Sequence, residues 1–220
     1  MEELKGLSSL EKLQAERAEA ILHDLGMTWE QLQDKKVLDI GAGLAEFAQE
    51  AKKHSINVVS LEKQPEIWEE GTPSKDVPYI QGDAKTLPFQ DNSFDVILSR
   101  AAPPTISHEK DQIIQVLKEV NRVLKIGGEF HFGPGNLNAT VFTSEELFTP
   151  EETQSFSTEQ RIKRIREKSI EFLQQINPNI EERATTNDSS SIRDFSDHYY
   201  ILRKEENSSY KKTAKSSTPY

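Results

Sequence analysis

Three acidic side chains, Asp39, Glu62 and Asp83, stand where carboxylates can hold a nucleoside. Asp39 can meet a ligand ammonium or order a bridging water. Glu62 can accept hydrogen bonds from the two vicinal hydroxyls of a ribose. Asp83 can accept a hydrogen bond from an adenine amino group while the adjacent N–H of Ala84 donates to a ring nitrogen. Together these residues predict a site for an adenine nucleoside.

A glycine turn, Gly41-Ala42-Gly43, follows the apolar run that contains Asp39. Glycine lets the backbone turn tightly and approach a ligand closely, although a plain turn between a strand and a helix has the same composition. Dinucleotide-binding turns keep the position of Glu46 small and uncharged, and a carboxylate there would repel a pyrophosphate. The predicted ligand therefore lacks phosphates.

Each of the three acids also has an ordinary structural alternative. Asp39 can cap nearby backbone amides, and Asp83 can stabilise a turn. Glu62 can form a surface ion pair with Lys63. The occurrence of all three acids after successive predicted strands, together with the glycine turn, favours the binding-site interpretation.

No residue is identified as a catalytic base or as a metal ligand. His108 can accept a proton near neutral pH, or it is an exposed and inert side chain. His131 lies inside a short apolar run, which favours a hydrogen-bonded core histidine. The five histidines show no close pairing with carboxylates that would suggest a metal site, and the absence of cysteine excludes disulfides and thiolate chemistry and favours a reducing compartment.

The elements that must position these residues alternate along the chain. An amphipathic pattern interrupted by Arg17 predicts a helix from Ser9 to Gly26, and Thr28 with Gln31 predicts a capping box for a second helix. Strands are predicted at 37–40, 57–61, 79–81, 94–99, 129–132 and 199–202, and helices at 44–54, 65–70, 108–124 and 158–176. The alternation predicts an α/β fold with a parallel sheet covered on both faces. Ligands of such sheets bind beyond the carboxyl ends of the strands, where the three acids lie.

Length and charge restrict the class of protein. The 220 residues suit one domain, and 27 basic against 37 acidic side chains give a net charge of −10, which disfavours binding to phosphate backbones. The chain shows neither a secretory leader nor an apolar run of about 20 residues. We therefore expect a cytoplasmic protein without a membrane span. Residues 205–220 are expected to form a disordered polar tail.

The motifs together resemble the class I S-adenosylmethionine-dependent methyltransferases, and most of all the group that includes the ubiquinone and menaquinone biosynthesis methyltransferases. The likeness spans residues 36–134. Its parts are Val37-Leu38-Asp39-Ile40-Gly41-Ala42-Gly43, Val59-Ser60-Leu61-Glu62, Gly82-Asp83-Ala84 through Leu87-Pro88-Phe89, Ser93-Phe94-Asp95-Val96-Ile97, and Glu119-Val120-Asn121-Arg122-Val123-Leu124-Lys125-Ile126-Gly127-Gly128.

The resemblance implies a Rossmann-like sheet of seven mostly parallel strands, whose last strand, at 198–203, is antiparallel. It implies S-adenosylmethionine as the cofactor. It also implies which part of the cofactor each residue contacts: Asp39, Gly41 and Gly43 the methionine portion, Glu62 the ribose, and Asp83 with Ala84 the adenine. Ser99 and Arg100 would line the methionine and methyl side. The predicted cofactor-binding residues are Asp39, Gly41, Ala42, Gly43, Glu62, Lys63, Asp83, Ala84, Ser99 and Arg100.

The chain departs from the family in two places. Ala45 stands where relatives usually have a third glycine in the first turn. After the fourth strand many relatives have a leucine-histidine pair, whereas this chain reads Ser99-Arg100-Ala101-Ala102-Pro103-Pro104. This segment also differs from the Asn/Asp-Pro-Pro-aromatic motif of enzymes that methylate amines of nucleic-acid bases. DNA is therefore a disfavoured substrate, and Arg100 is left with two roles: binding an acidic substrate or pairing with a nearby carboxylate.

Three segments complete the predicted organisation. Residues 1–35 form an N-terminal helical cap on a methyltransferase domain at 36–204. Within that domain, the insertion at 135–158 either covers a substrate pocket or is a surface loop with buried phenylalanine anchors. The basic run at 161–168 either binds nucleic acid or a membrane surface, or is a solvated helix face whose isoleucines pack on the sheet.

The predicted activity is in-line methyl transfer from S-adenosylmethionine to a small-molecule acceptor. A protein or RNA methyltransferase is the alternative within enzymes. A cofactor-binding regulatory protein without turnover is the alternative outside them.

Overall fold

The computed structural model describes residues 9–64, 75–185 and 198–206. The helices are α1 (Ser9–Asp24), α2 (Trp29–Leu32), α3 (Glu46–Lys53), α4 (Lys110–Val123), α5 (Ser144–Leu147), α6 (Pro150–Ser155) and α7 (Thr158–Ile176). The strands are β1 (Lys36–Ile40), β2 (Asn57–Glu62), β3 (Tyr79–Gln81), β4 (Phe94–Arg100), β5 (Leu124–Gly133), β6 (Ile180–Ala184) and β7 (His198–Arg203). The predicted helix at 65–70 and most of the predicted polar tail, 207–220, lie outside the described residues.

The strands form one seven-stranded sheet in the order β3-β2-β1-β4-β5-β7-β6. Strands β1 to β5 pair in parallel, and β7 runs antiparallel to both of its neighbours. This confirms the Rossmann-like α/β class, with helices on both faces and an antiparallel last strand. Because β1 lies between β2 and β4, the register places Asp39 opposite Ser60 on one side and Leu98 on the other.

Two apolar layers cover the sheet. On one face, α4 and α7 pack on side chains such as Leu38, Ile97 and Phe130. On the other face, α1, α2 and α3 pack on Val37 and Leu98. The alternate burial of neighbouring strand residues on opposite faces explains why these strands read as continuous apolar runs in the sequence.

The N-terminal helices belong to this second layer. Leu22 of α1 and Leu25 of the turn after it are buried in the same cluster as the sheet residues, and Arg17 of α1 pairs with Glu46 of α3. Helix α2 begins at the predicted capping box, in which Thr28 and Gln31 bond each other's backbone amides. Docking of α1 brings it beside the carboxyl end of the sheet.

One strand and two α-helices among the described elements were not predicted from the sequence. Strand β6 contains Glu181, Glu182 and Arg183 and has little apolar pattern. Helices α5 and α6 are one to two turns long, and each begins at a capping box, headed by Thr143 and Thr149 respectively. No helix among the described residues is long and apolar enough to cross a bilayer.

Candidate functional site

A cavity of about 620 Å³ lies at the carboxyl ends of β1, β2, β3 and β4. Nine of the ten predicted cofactor-binding residues line it: Asp39, Gly41, Ala42, Gly43, Glu62, Lys63, Asp83, Ala84 and Arg100. Its volume is in the range typical of small-molecule sites. The strand order therefore assembles, in one place, residues that lie up to 61 positions apart in the sequence.

The glycine turn has a backbone that requires glycine. Gly41 and Gly43 have φ angles of +76° and +54°. A Cβ atom on Gly41 would lie 2.3 Å from the Cβ of Ala102 in the loop after β4. The N–H of Gly41 donates to the carbonyl of Leu61 at 2.8 Å, which ties the turn to β2. The turn thus brings the ends of β1, β2 and β4 close together.

Asp39 is a buried carboxyl group that faces this cavity. Its residue is only 4% exposed. Burial, and secondly the negative charge of Glu62, raises the pKa of Asp39 to about 7. No described residue donates a hydrogen bond to its side chain, so the alternative of an amide cap is wrong within the described part of the chain. A buried carboxyl group without a partner among the described residues fits a cationic ligand group.

Glu62 is held at the end of β2 by backbone amides. One carboxylate oxygen accepts from the N–H groups of Lys63 and Gln64 at 2.8 and 3.1 Å, and the other accepts from that of Gly43 at 3.2 Å. The residue is 9% exposed. The alternative of a surface pair with Lys63 is wrong, because the Lys63 ammonium lies 3.0 Å from Asp83. Two oxygens with about four lone-pair sites leave Glu62 able to accept a further donor.

Asp83 combines the two roles considered for it. Its side chain accepts the N–H of Lys85 at 2.9 Å, which stabilises a turn, while the residue also lines the cavity. Partial burial acts to raise the pKa of Asp83, but the Lys85 amide and the Lys63 ammonium outweigh it and keep that pKa below its ordinary value. Asp83 is therefore an ionised acceptor.

The two residues predicted at the end of β4 have different positions. Ser99 is fully buried and does not line the cavity; its hydroxyl donates to the carbonyl of Pro103 at 2.6 Å. The prediction of cavity contact is wrong for Ser99, whose hydroxyl instead holds the loop after β4. Arg100 lines the cavity and donates to Asp24 of α1 at 2.7 Å, which confirms the alternative of a carboxylate pair.

Sequence reasoning missed the contribution of α1. Arg17, Ala20 and Ile21 line the cavity, and Arg17 donates to both oxygens of Glu46, at 2.7 and 3.0 Å. The available signal was the arginine that interrupts the apolar stripe of this helix. From the other side, the half-exposed Ile106 adds an apolar contact to the cavity wall.

The candidate base, His108, lies apart from the lining residues. It is exposed, and its Nδ1 accepts a hydrogen bond from the side-chain amide nitrogen of Asn138 at 3.0 Å. Because this bond occupies the lone pair of the histidine Nδ1, the geometry favours the inert alternative for His108. Within the described residues, no group of three or more His, Asp or Glu side chains is arranged to hold a metal ion.

The insertion at 135–158 packs on α7, away from the cavity. None of its residues lines the cavity. The ring of Phe142 packs edge-on against that of Phe172, and the ring of Phe148 packs edge-on against that of Phe156. These contacts are those of the surface-loop alternative, in which the phenylalanines are anchors.

The basic run at 161–168 is largely neutralised by ion pairs. Arg164 pairs with Glu152 at 2.8 Å, and Arg166 pairs with Glu182 at the same distance. Ile165 packs against the core. The arrangement is that of the solvated helix face.

Comparison with known proteins identifies relatives of the central part of the chain. Residues 38–132 match the model of a methyltransferase domain family. The chain is 32% identical over 124 residues to the uncharacterized methyltransferase YcgJ of Bacillus subtilis, which covers 50% of this chain and 47% of that protein. It is 31% identical over 96 residues to the demethylmenaquinone methyltransferase of Renibacterium salmoninarum, covering 43% and 39% of the two chains. The chain thus spans about half or less of the length of these curated relatives.

A solved structure extends the likeness to most of the chain at the level of the fold. It is that of MMP1179 from Methanococcus maripaludis, a candidate S-adenosylmethionine-dependent methyltransferase. The two chains share 21% sequence identity with a TM-score of 0.53, and the match covers 86% of this chain and 84% of the other.

Proposed function

We propose that this protein transfers a methyl group from S-adenosylmethionine to a small molecule. The premise is that residues 38–132 are a class I methyltransferase domain whose cofactor is S-adenosylmethionine. The main support for the proposal is that the glycine turn, Asp39, Glu62 and Asp83 all line one cavity. When bound, the cofactor supplies a methyl group on a positively charged sulfur. The chain's own residues bind it, orient it and hold an acceptor in line with it.

The residues present fit the methionine end of this cofactor. Asp39 offers a buried carboxyl group with no partner among the described residues, which suits the cofactor's ammonium group. The φ of +76° at Gly41 and its close contact with Ala102 leave no room for a side chain at this position of the turn. Glu46 is already paired with Arg17, so it adds no free carboxylate at the turn.

The same residues fit the nucleoside end. Glu62 has its carboxylate fixed by three backbone amides, so the ribose hydroxyls would meet an acceptor that is already oriented. Asp83 is ionised and can accept from the adenine amino group, with the N–H of Ala84 beside it. This ligand has no phosphate, so no phosphate-binding contact is needed.

The remaining wall suits a small acceptor. Ala20 and Ile21 of α1, with Pro103 and Ile106 of the loop after β4, give it an apolar surface. The Arg100–Asp24 pair joins α1 to the end of β4, where Arg100 lines the cavity. The relative from Renibacterium is named for a small-molecule quinone substrate, which supports the same substrate class.

A release assay tests the activity. The protein is incubated with S-adenosylmethionine and separate panels of small amines and phenols, RNA, and peptides, and the formation of S-adenosylhomocysteine is measured. The proposal predicts turnover with a small molecule. Turnover with RNA or peptides alone would overturn the substrate class. Stoichiometric binding of S-adenosylhomocysteine without turnover on any panel would favour a regulatory protein.

A further inference from the structure

A buried histidine on β5 lies beneath the end of α1. His131 is 3% exposed, and its Nδ1 lies 2.9 Å from the backbone carbonyl oxygen of Leu25. Its Nε2 lies 3.1 Å from a carboxylate oxygen of Glu129. A backbone carbonyl is an acceptor only. Glu129 is an acceptor as well, because its other oxygen is bonded by Arg203 at 2.7 Å.

Both ring nitrogens therefore need a proton. A neutral imidazole has one N–H donor and one lone pair, whereas the imidazolium ion has two donors. The hydrogen bond from His131, with the Arg203 guanidinium outweighing the opposing effect of burial, lowers the pKa of Glu129 to about 2. An ionised carboxylate on one side and a helix-terminal carbonyl on the other both favour a positive charge between them.

The other charged groups around the ring are already paired. From β7, Arg203 also contacts Glu181 of β6 at 3.2 Å, and Tyr199 stacks on the imidazole with the ring centres 5.9 Å apart. Burial raises the pKa of Tyr199, so its hydroxyl stays neutral; Arg183 of β6 lies near it and opposes that shift. From β4, the residue beside His131 is Leu98.

The end of α1 carries its own charged groups. Asp24 is bonded to Arg100 and lies 3.6 Å from His23. Its carboxylate is thus directed to partners other than His131.

The carbonyl bound by His131 belongs to the turn that ends α1. The N–H of Met27 donates to the carbonyl of Leu22 at 2.8 Å, and Gly26 adopts a φ of +62°. Gly26 packs against Tyr199 so closely that a Cβ there would lie 2.0 Å from the tyrosine hydroxyl. One turn earlier, Ile21 lines the cavity.

We infer that His131, as an imidazolium ion, is a positioning residue: its two N–H groups join Glu129 of the sheet to the end of α1 and so fix the α1 wall of the cavity. This role rests on the proposed function, since α1 forms one wall of the proposed cofactor and acceptor site. Removal of these two donors weakens the anchorage of α1 and, with it, cofactor affinity.

The first test is spectroscopic and uses the unmodified protein without ligand. Nitrogen-15 NMR of the histidine rings distinguishes the imidazolium ion from either neutral tautomer, and the His131 signals are assigned by their absence in His131→Phe. We expect both ring nitrogens of His131 to carry a proton in the folded protein. A neutral ring would overturn the inference.

The second test measures the anchorage of α1. His131→Phe keeps a ring against Tyr199 but removes both donors; His23→Phe, at an exposed position on α1, is the control. We expect amide exchange in residues 17–25 to accelerate by about tenfold or more in His131→Phe, relative to strands β1 and β4. Unchanged relative exchange in that variant would overturn the role of His131.

The third test connects anchorage to the cavity. Affinity for S-adenosylhomocysteine is measured at pH 8 for the parent protein, His131→Phe and His23→Phe, and we expect only His131→Phe to bind more weakly, by about threefold or more. Equal affinities of His131→Phe and the parent protein would overturn the positioning role. Failure of the parent to bind the ligand at all would overturn the proposed function, which the first two tests do not require.

Discussion

The backbone of Gly41 touches the side chain of Ala102, so that the turn after β1 and the loop after β4 meet without room for one more methyl group. A Cβ at Gly41 would lie 2.3 Å from that of Ala102, and the φ of +76° disfavours any side chain. This contact sets the distance between the wall proposed for the cofactor and the wall proposed for the acceptor.

Gly41→Ala is predicted to destabilise the protein, because it strains the backbone and overpacks the contact with Ala102. Backbone strain costs about 1–3 kcal/mol, and overpacking adds about 1–3 kcal/mol. Gly127→Ala is a matched control, because Gly127 has a φ of +77° with nothing within 4 Å of its would-be Cβ. Denaturant unfolding should show the larger loss at Gly41, and Ala102→Gly should recover part of it. Equal losses at the two glycines would show that the contact with Ala102 is unimportant.

Asp39 should make the ligand-free protein less stable as the pH rises. Its pKa is raised from 3.8 to about 7, so between these values the folded state binds a proton that the unfolded state has lost. The free energy of unfolding should therefore fall from about pH 4 to about pH 7, by at most about 4 kcal/mol from this residue. In Asp39→Asn that component should disappear, measured as the difference between the two urea-unfolding profiles. Parallel profiles would contradict the burial of an unpartnered carboxyl group.

Arg122 is predicted to hold the loop that follows Asp83. Its guanidinium donates to the carbonyls of Leu87 and Phe89 at 2.9 and 2.8 Å, and to the carboxylate of Glu119. Arg122→Met should lower the free energy of unfolding by about 2 kcal/mol, because two loop carbonyls lose their donor. Arg122→Lys should recover less than half of this, since one ammonium cannot replace the planar fork.

The matched control for Arg122 is Arg183→Met. Arg183 forms a more exposed pair with Glu181, whose removal should leave the denaturant midpoint nearly unchanged. Similar denaturant midpoints for Arg122→Met and the parent protein would contradict the role given to Arg122.

The sequence supplied the strands and the acids at their ends because both depend on local pattern. Each central strand is an apolar run, and in a parallel sheet a residue at the end of such a run must lie at the ligand-binding edge. Asp39, Glu62 and Asp83 were predicted on that basis, and all three line the cavity. The number of strands and the antiparallel last strand came from the resemblance, and the order of the strands was not predicted.

The missed features depend on contacts between distant parts of the chain. Arg17 meets Glu46 across 29 residues, and no local pattern encodes that pair. Strand β6 is an edge strand whose charged side chains pair with other elements, including Glu182 with Arg166. Ser99 occupies a strand end like the acids, but its short side chain bonds the following loop instead of facing the cavity.

The central claim is that the cavity binds S-adenosylmethionine through Glu62, and titration calorimetry with S-adenosylhomocysteine at pH 8 tests it most directly. The parent protein should bind at micromolar strength, and Glu62→Ala should bind at least about tenfold more weakly, because charge-assisted hydrogen bonds contribute about 1.5–3 kcal/mol. The control Glu159→Ala removes an exposed carboxylate outside the cavity and should bind within about twofold of the parent. No heat from the parent at about 1 mM ligand, or an affinity of Glu62→Ala within about twofold of the parent, would contradict the account.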